Sequence, residues 1–203
     1  EIEAVFTVPA SIGLQGIRLF KPTFGETVLV IGLGLIGILT AQLLKSQGCR
    51  VLGFDIDQKK CNLAEELGIK TVPLDLREGP ENWCLEMTNH IGVDGVIITA
   101  STDSNEPITI ASKVCRKRGR IILIGVTKLN IKRELFYEKE ISFQVSCSYG
   151  PGRYDTSYEE DGIDYPIGFV RWTEKRNFEA ILYSLKTKQL NVEKLISNKF
   201  DIK

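Results

Sequence analysis

The chain has 203 residues, 43% of them hydrophobic, enough apolar material for one substantial core with some appended structure. Lys and Arg together number 26, as do Asp and Glu, so the formal net charge is zero and no basic excess is available for nucleic acid or anionic lipid. A small molecule is the expected partner. The five cysteines, Cys49, Cys61, Cys84, Cys115 and Cys147, are odd in number and contain no C-x-x-C pair, so they read as reduced thiols of a cytoplasmic protein, not as a disulfide frame or a zinc site.

The first residues lack the basic and apolar regions of a signal peptide. The absence of an initiator Met and the abrupt end at Phe200-Asp201-Ile202-Lys203 lead us to expect a segment excised from a longer protein. Residues 9–20 (PASIGLQGIRLF) predict a first helix. Short β-branched runs at 27–31, 50–54, 70–73, 95–99, 120–124 and 141–145 then predict six strands. Amphipathic stretches at 35–47, 58–67, 80–91 and 106–116 predict helices between them, with Leu63 and Leu67 on one face. Gly48, Gly68 and Gly119 fall where helices should end. Residues 149–165 (YGPGRYDTSYEEDGIDY) carry four tyrosines and three glycines without apolar period and predict a polar loop. A charge-rich helix is expected within 170–188.

Strands alternating with helices predict an α/β fold, a six-stranded, parallel, doubly wound sheet of the Rossmann type with helices on both faces. Residues 28–44 are apolar enough to raise a membrane span, but three glycines at turn spacing, with Thr40 and Gln42, argue against one.

Gly32-Leu33-Gly34-Leu35-Ile36-Gly37 follows a predicted strand and opens a predicted helix, the context in which this glycine pattern binds a dinucleotide. Gly32 suits the tight turn, Gly34 lets backbone approach a pyrophosphate, and Gly37 lets the helix pack closely. Free amides at the helix start face the anion. Asp55, at the end of the next strand and 18 positions beyond Gly37, matches the carboxylate that binds the ribose hydroxyls. Since that carboxylate would repel a 2′-phosphate and no Arg follows it, NAD is favoured over NADP, with Lys60 near the ribose. The plainer alternatives are a turn without ligand and a helix cap at Asp55, a role open to Asp57 as well. S-adenosylmethionine also binds after glycines and an acid, though Gly37 and the lack of a final antiparallel hairpin weigh against a methyltransferase.

The stretch GETVLVIGLGLIGILTAQLLKSQGCRVLGFDIDQKKCNLAEELG, with IGLQGIRLF before it and GVDGVIITAS and KRGRIILIGV after it, resembles the cofactor domain of medium-chain, zinc-type alcohol dehydrogenases. The resemblance implies backbone contacts from Leu35 and Ile36 to the pyrophosphate, Thr99 and Ala100 beside the adenine, and Gly125 and Val126 beside the nicotinamide. It also implies residues 1–22 as a lead-in helix from an N-terminal catalytic domain, 23–148 as the NAD-binding domain, and 149–203 as a polar loop and helix returning toward that catalytic domain.

The loop, with the following VRWTEKRN, is similar to a branch associated with bacterial surface-sugar gene clusters. That likeness implies a polyol, sugar or nucleotide-sugar substrate, with Arg153, Tyr154 and Arg171 as contacts. A tyrosine-rich interdomain or dimer surface is the alternative. A homodimer formed by edge-strand pairing at 141–147 is a further family-based expectation.

The family binds catalytic zinc in its N-terminal domain, and nothing before Pro9 could supply ligands. The only histidine, His90, falls on the predicted helix before the fourth strand and is expected to be a helix-end residue. No catalytic and no metal-binding residue is assigned to these residues. The expectation is thus a fragment, inactive alone, of an NAD-dependent dehydrogenase that moves hydride between nicotinamide and an alcohol or carbonyl carbon. A non-catalytic NAD(H) sensor is the second reading.

Overall fold

The computed structural model describes residues 2–72 and 79–200. A 3-10 turn (Ile2–Phe6) leads into α1 (Thr7–Phe20), followed by β1 (Thr27–Ile31), α2 (Leu35–Ser46), β2 (Arg50–Phe54), α3 (Gln58–Glu66) and β3 (Lys70–Thr71). The second half holds α4 (Gly79–Met87), β4 (Val93–Ile98), α5 (Glu106–Val114), β5 (Cys115–Leu123), α6 (Arg133–Tyr137), β6 (Ser142–Val145), α7 (Thr156–Glu159) and α8 (Glu174–Lys186).

All six strands run parallel in the order β3-β2-β1-β4-β5-β6. That is the doubly wound order, with its switch point between β1 and β4. Because successive side chains leave a strand on opposite faces, β1 sends Val28 and Val30 into one core and Leu29 and Ile31 into the other. The first core is covered by α1, α2, α3 and α8 through Leu14, Ile17, Leu39, Ala64 and Ile181. The second is covered by α4 and α5 through Trp83, Cys84, Ile108 and Ala111. The lead-in helix and the last helix are therefore packed layers of the sheet. An all-parallel sheet lacks the antiparallel hairpin of the methyltransferase alternative.

Several boundaries differ from expectation. The third strand pairs only through Lys70 and Thr71, and Pro73 lies outside the described residues. The helix expected to reach Arg116 stops at Val114, and β5 begins at Cys115 with a register shift between Val93 and Gly95. Gly119 consequently sits inside a bulged strand instead of ending a helix, and Arg118 takes the left-handed position (φ 58°). Lys139 closes α5 in its place, its Nζ donating to the carbonyls of Ser112, Lys113 and Cys115. Gly48 and Gly68 do follow α2 and α3 in left-handed conformations. The helix α4 ends at Met87, so His90 lies beyond it in an exposed left-handed turn (φ 61°), not on the helix.

The segment expected as a polar loop contains α7, whose first turn is capped by the Asp155 carboxylate accepting from the Ser157 amide (3.0 Å). Tyr158 and Tyr165 stack with ring centres 5.4 Å apart, and the Tyr165 hydroxyl donates to Asp155. Among the described residues no helix is long and apolar enough to cross a membrane.

Candidate dinucleotide site

The β1–α2 turn is built by its glycines. Gly32 has φ +94°, and a Cβ there would lie 2.5 Å from the Ala100 amide nitrogen. Gly37 is equally confined: its Cβ would meet the Gly32 carbonyl oxygen at 1.8 Å, so α2 can pack on the turn only without a side chain at that position. Gly34 is different. Its backbone (φ −67°, ψ −170°) suits any residue, and a Cβ would meet nothing within 4 Å. Neither backbone strain nor packing explains a glycine there, while a ligand approaching the backbone does. As the N-cap of α2, Gly34 provides no side-chain hydrogen bond, leaving first-turn amides, including those of Leu35 and Ile36, for an anion.

Asp55 closes the other side at the end of β2. It is buried, its Oδ2 accepts from the Leu33 amide (2.7 Å) and its Oδ1 from the Asp57 amide (2.9 Å). Lys60 Nζ stands 3.6 Å from Oδ2. The capping role belongs to Asp57, which accepts from the Lys59 amide at the start of α3 (2.9 Å). Asp55 therefore fastens the glycine turn and keeps further lone pairs on both oxygens for hydroxyl donors. The Thr99 hydroxyl donates to the Gly32 carbonyl from across the switch point.

These residues meet in a cleft of about 370 Å³ at the carboxyl ends of β1, β2 and β4. Of the residues expected from sequence, Gly32, Gly34, Asp55, Lys60, Thr99 and Ala100 line it. Leu35, Ile36 and Gly37 lie at the helix start behind the turn. Gly125 and Val126 adjoin the cleft: the Gly125 amide donates to the Ile98 carbonyl (3.0 Å), the Val126 amide to the Ala100 carbonyl (3.1 Å), and Val126 is exposed.

Sequence reasoning missed the apolar walls. Ile56 is 87% exposed at the cleft, and Pro107 and Ile110 face it from α5. The signal was present in the i, i+3 spacing of Pro107 and Ile110, a second apolar face on a helix whose first face carries Ile108 and Ala111 into the core. Ser101, Thr102 and Ser104 add hydroxyls to the lining. Open space at Gly34, an uncapped helix start, a buried carboxylate and apolar walls form a donor set that fits a dinucleotide.

The loop residues stand apart from the cleft lining. Arg153 is bound to Glu159 (2.5 Å) and leans on the Tyr154 ring, both partners lying within the loop. Tyr154 is exposed, and Arg171 stacks on Trp172. Among the described residues no group of three or more His, Cys, Asp or Glu could hold a metal ion, so the donor set does not fit zinc. Burial pushes the Cys84 and Cys115 thiols up to about 12.

The sequence pattern of the zinc-binding dehydrogenases matches residues 36–160. An uncharacterised zinc-type alcohol dehydrogenase-like protein of Escherichia coli is 25% identical over 99% of this chain and 56% of its own length. The D-guloside 3-dehydrogenase of the same organism is 30% identical over 95% of this chain and 52% of its own. Among solved structures, the alcohol dehydrogenase TADH from Thermus sp. ATN1 superposes with a TM-score of 0.74 at 19% identity, covering 96% of this chain and 51% of that one, a likeness of fold. The chain spans about half the length of the curated relatives it matches. Sheet order, glycine turn and sequence match agree: the chain belongs to the zinc-binding dehydrogenase family.

Proposed function

We propose that this chain is the NAD(H)-holding part of a medium-chain dehydrogenase that transfers hydride between nicotinamide and an alcohol or carbonyl carbon of a polyol or sugar. The observation that carries the reading is Gly34, a glycine that neither strain nor packing requires, at an uncapped helix start opposite a buried carboxylate. NAD would accept or return the hydride. The chain's own residues do the holding. First-turn amides of α2 receive the pyrophosphate, Asp55 accepts from the ribose hydroxyls, Ile56, Pro107 and Ile110 exclude water from the adenine, and Gly125 and Val126 border the nicotinamide. No proton transfer is assigned to these residues, and the chain alone is expected to turn over nothing.

The polyol or sugar substrate is supported by the names of relatives such as the D-guloside 3-dehydrogenase, an L-arabinitol 4-dehydrogenase and a sorbitol dehydrogenase. Arg153, Tyr154 and Arg171 are the candidates for substrate contact. Free cysteines support a cytoplasmic location, in a bacterial cell by the likeness of the loop. A homodimer through β6, an outermost strand with three exposed residues, is expected to elute at twice the chain mass on size exclusion; a monomer at high concentration would count against it.

The test is a titration with NADH and NADPH on the native chain and on Asp55→Asn, which keeps an acceptor oxygen for the turn while removing the charge. NADH should bind more tightly than NADPH, and the preference should shrink in the variant by roughly tenfold, the size of one charge-assisted contact. Equal binding of the two, or no change in the variant, would refute Asp55 as the ribose ligand.

A further inference from the structure

On the side of the molecule where α1 meets α8, one indole carries two guanidiniums. The Cζ of Arg18 lies 3.2 Å from the centre of a Trp172 ring and that of Arg171 lies 3.9 Å from one. Arg18 is half-buried on α1 and is fixed by a hydrogen bond from its Nε to Asn177 Oδ1 (3.0 Å). Asn177 is fully buried and is itself tied through Nδ2 to the Tyr149 carbonyl (2.9 Å). The guanidinium is thus held at one edge, and its terminal nitrogens remain for another partner.

Among the described residues neither Arg18 nor Arg171 has a carboxylate within ion-pair distance. Of the other arginines that lean on rings, Arg120 over Phe20 pairs with Glu26 and Arg153 over Tyr154 pairs with Glu159, whereas the exposed Arg133 over Tyr137 has no ion pair among the described residues. Burial, and then the charge of Arg171, pulls the Arg18 pKa down to about 10. Two like charges are therefore held together, one partly desolvated, with no paired carboxylate among the described residues. Arg171 and Trp172 immediately precede α8, whose N-cap Thr173 makes no side-chain cap and whose first turn carries Glu174.

We propose that Arg18 and Arg171, held against Trp172, form a binding site for an oxyanion, the carboxylate or phosphate group of a small molecule. Planar guanidiniums donate to such groups in pairs, and stacking on the indole keeps them ordered. The site shares no lining residue with the dinucleotide cleft and does not depend on the NAD reading. The group would arrive either as free phosphate or as part of an anionic sugar.

Trp172 is its own reporter. The native chain is titrated with inorganic phosphate, with glucose 6-phosphate and with gluconate while tryptophan emission is followed, and Trp172→Phe supplies the background from Trp83. A saturable change absent from Trp172→Phe is expected, with its midpoint raised roughly tenfold or more in Arg171→Ala, an exposed position where the fold should be kept. Arg18→Lys, which keeps the charge and loses the paired donors, should weaken it as well. A tighter midpoint for the sugar-borne anions identifies an anionic sugar as the ligand, and equal midpoints identify free phosphate. No saturable change, one that persists in Trp172→Phe, or one whose midpoint is unmoved in Arg171→Ala, overturns the proposal. NADH binding measured on the same samples reports separately on the function proposed above.

Discussion

Alanine at Gly34 and alanine at Gly37 should do opposite things to this protein. At Gly37 the new methyl would stand 1.8 Å from the Gly32 carbonyl oxygen and 2.8 Å from Thr99 Oγ1, so α2 must move off the turn. Such overpacking costs about 1–3 kcal/mol. For a chain of about 200 residues this corresponds to a fall in Tm of roughly 3–10 °C. At Gly34 the methyl meets nothing within 4 Å and the backbone angles are open to alanine, so Tm should stay within about 2 °C of the native value. The same methyl would occupy the side from which a pyrophosphate must approach the first amides of α2. NADH should therefore bind at least roughly tenfold more weakly to a protein that is as stable as before, a loss of about 1.4 kcal/mol. Thermal unfolding and NADH fluorescence titration read the two effects separately. Unchanged NADH affinity in a folded Gly34→Ala chain would refute the claim that this glycine is there for a ligand.

Two predictions concern groups away from the cleft. Because burial raises the thiol pKa of Cys84 and Cys115 to about 12 and raises those of Cys49 and Cys61, these four remain protonated at pH 8, whereas Cys147 is exposed. A chromogenic disulfide reagent should react fast with one thiol per native chain and with all five after denaturation; rapid reaction of a second would show that the packing around the buried thiols is wrong. Lys139→Ala removes the donor that serves three carbonyls at the end of α5, and chemical denaturation should show a loss of about 1–3 kcal/mol, while an unchanged midpoint would leave those bonds without energetic weight.

The parts of the fold that were legible in the sequence are those where both faces of a strand are buried. The strands β1 and β2 were predicted to the residue, because TVLVI and RVLGF are short apolar runs bounded by polar residues or glycines, and no other element competes for them. The errors cluster where a tertiary contact overrides local preference. The segment CRKRG extends the helical pattern of α5, yet Cys115 pairs with Val93 and the Arg116 guanidinium reaches Asp94 Oδ1 at 2.7 Å, which draws the chain into the sheet five residues early. Neither partner is near in sequence, so no window of local periodicity could report them. The α7 turn was hidden for a related reason: its stability comes from Asp155, Tyr165 and Glu159, polar contacts that leave no apolar period.

The candidate site was legible to a different degree on its two sides. The phosphate side depends on backbone shape, and backbone shape is written in glycine: each of the three positions has its own reason, and they sit at fixed spacing. The adenine side depends on side chains brought together by the switch between β1 and β4, and only the carboxylate advertises itself. Asp55 shows why the two sides act as one. Its Oδ2 holds the Leu33 amide, between Gly32 and Gly34, so the residue expected to receive the ribose also sets the turn expected to receive the pyrophosphate. A ligand that engages Asp55 therefore finds the phosphate cradle already shaped, and little ordering remains to oppose binding. The same coupling decides how Asp55 must be probed. Truncation to alanine would release both the Leu33 and Asp57 amides and deform the turn, whereas asparagine removes the charge and keeps one of the two acceptor oxygens, giving up only one of those bonds. A change in the preference between NADH and NADPH reads that charge alone, since both cofactors carry the same pyrophosphate and would suffer equally from a deformed turn.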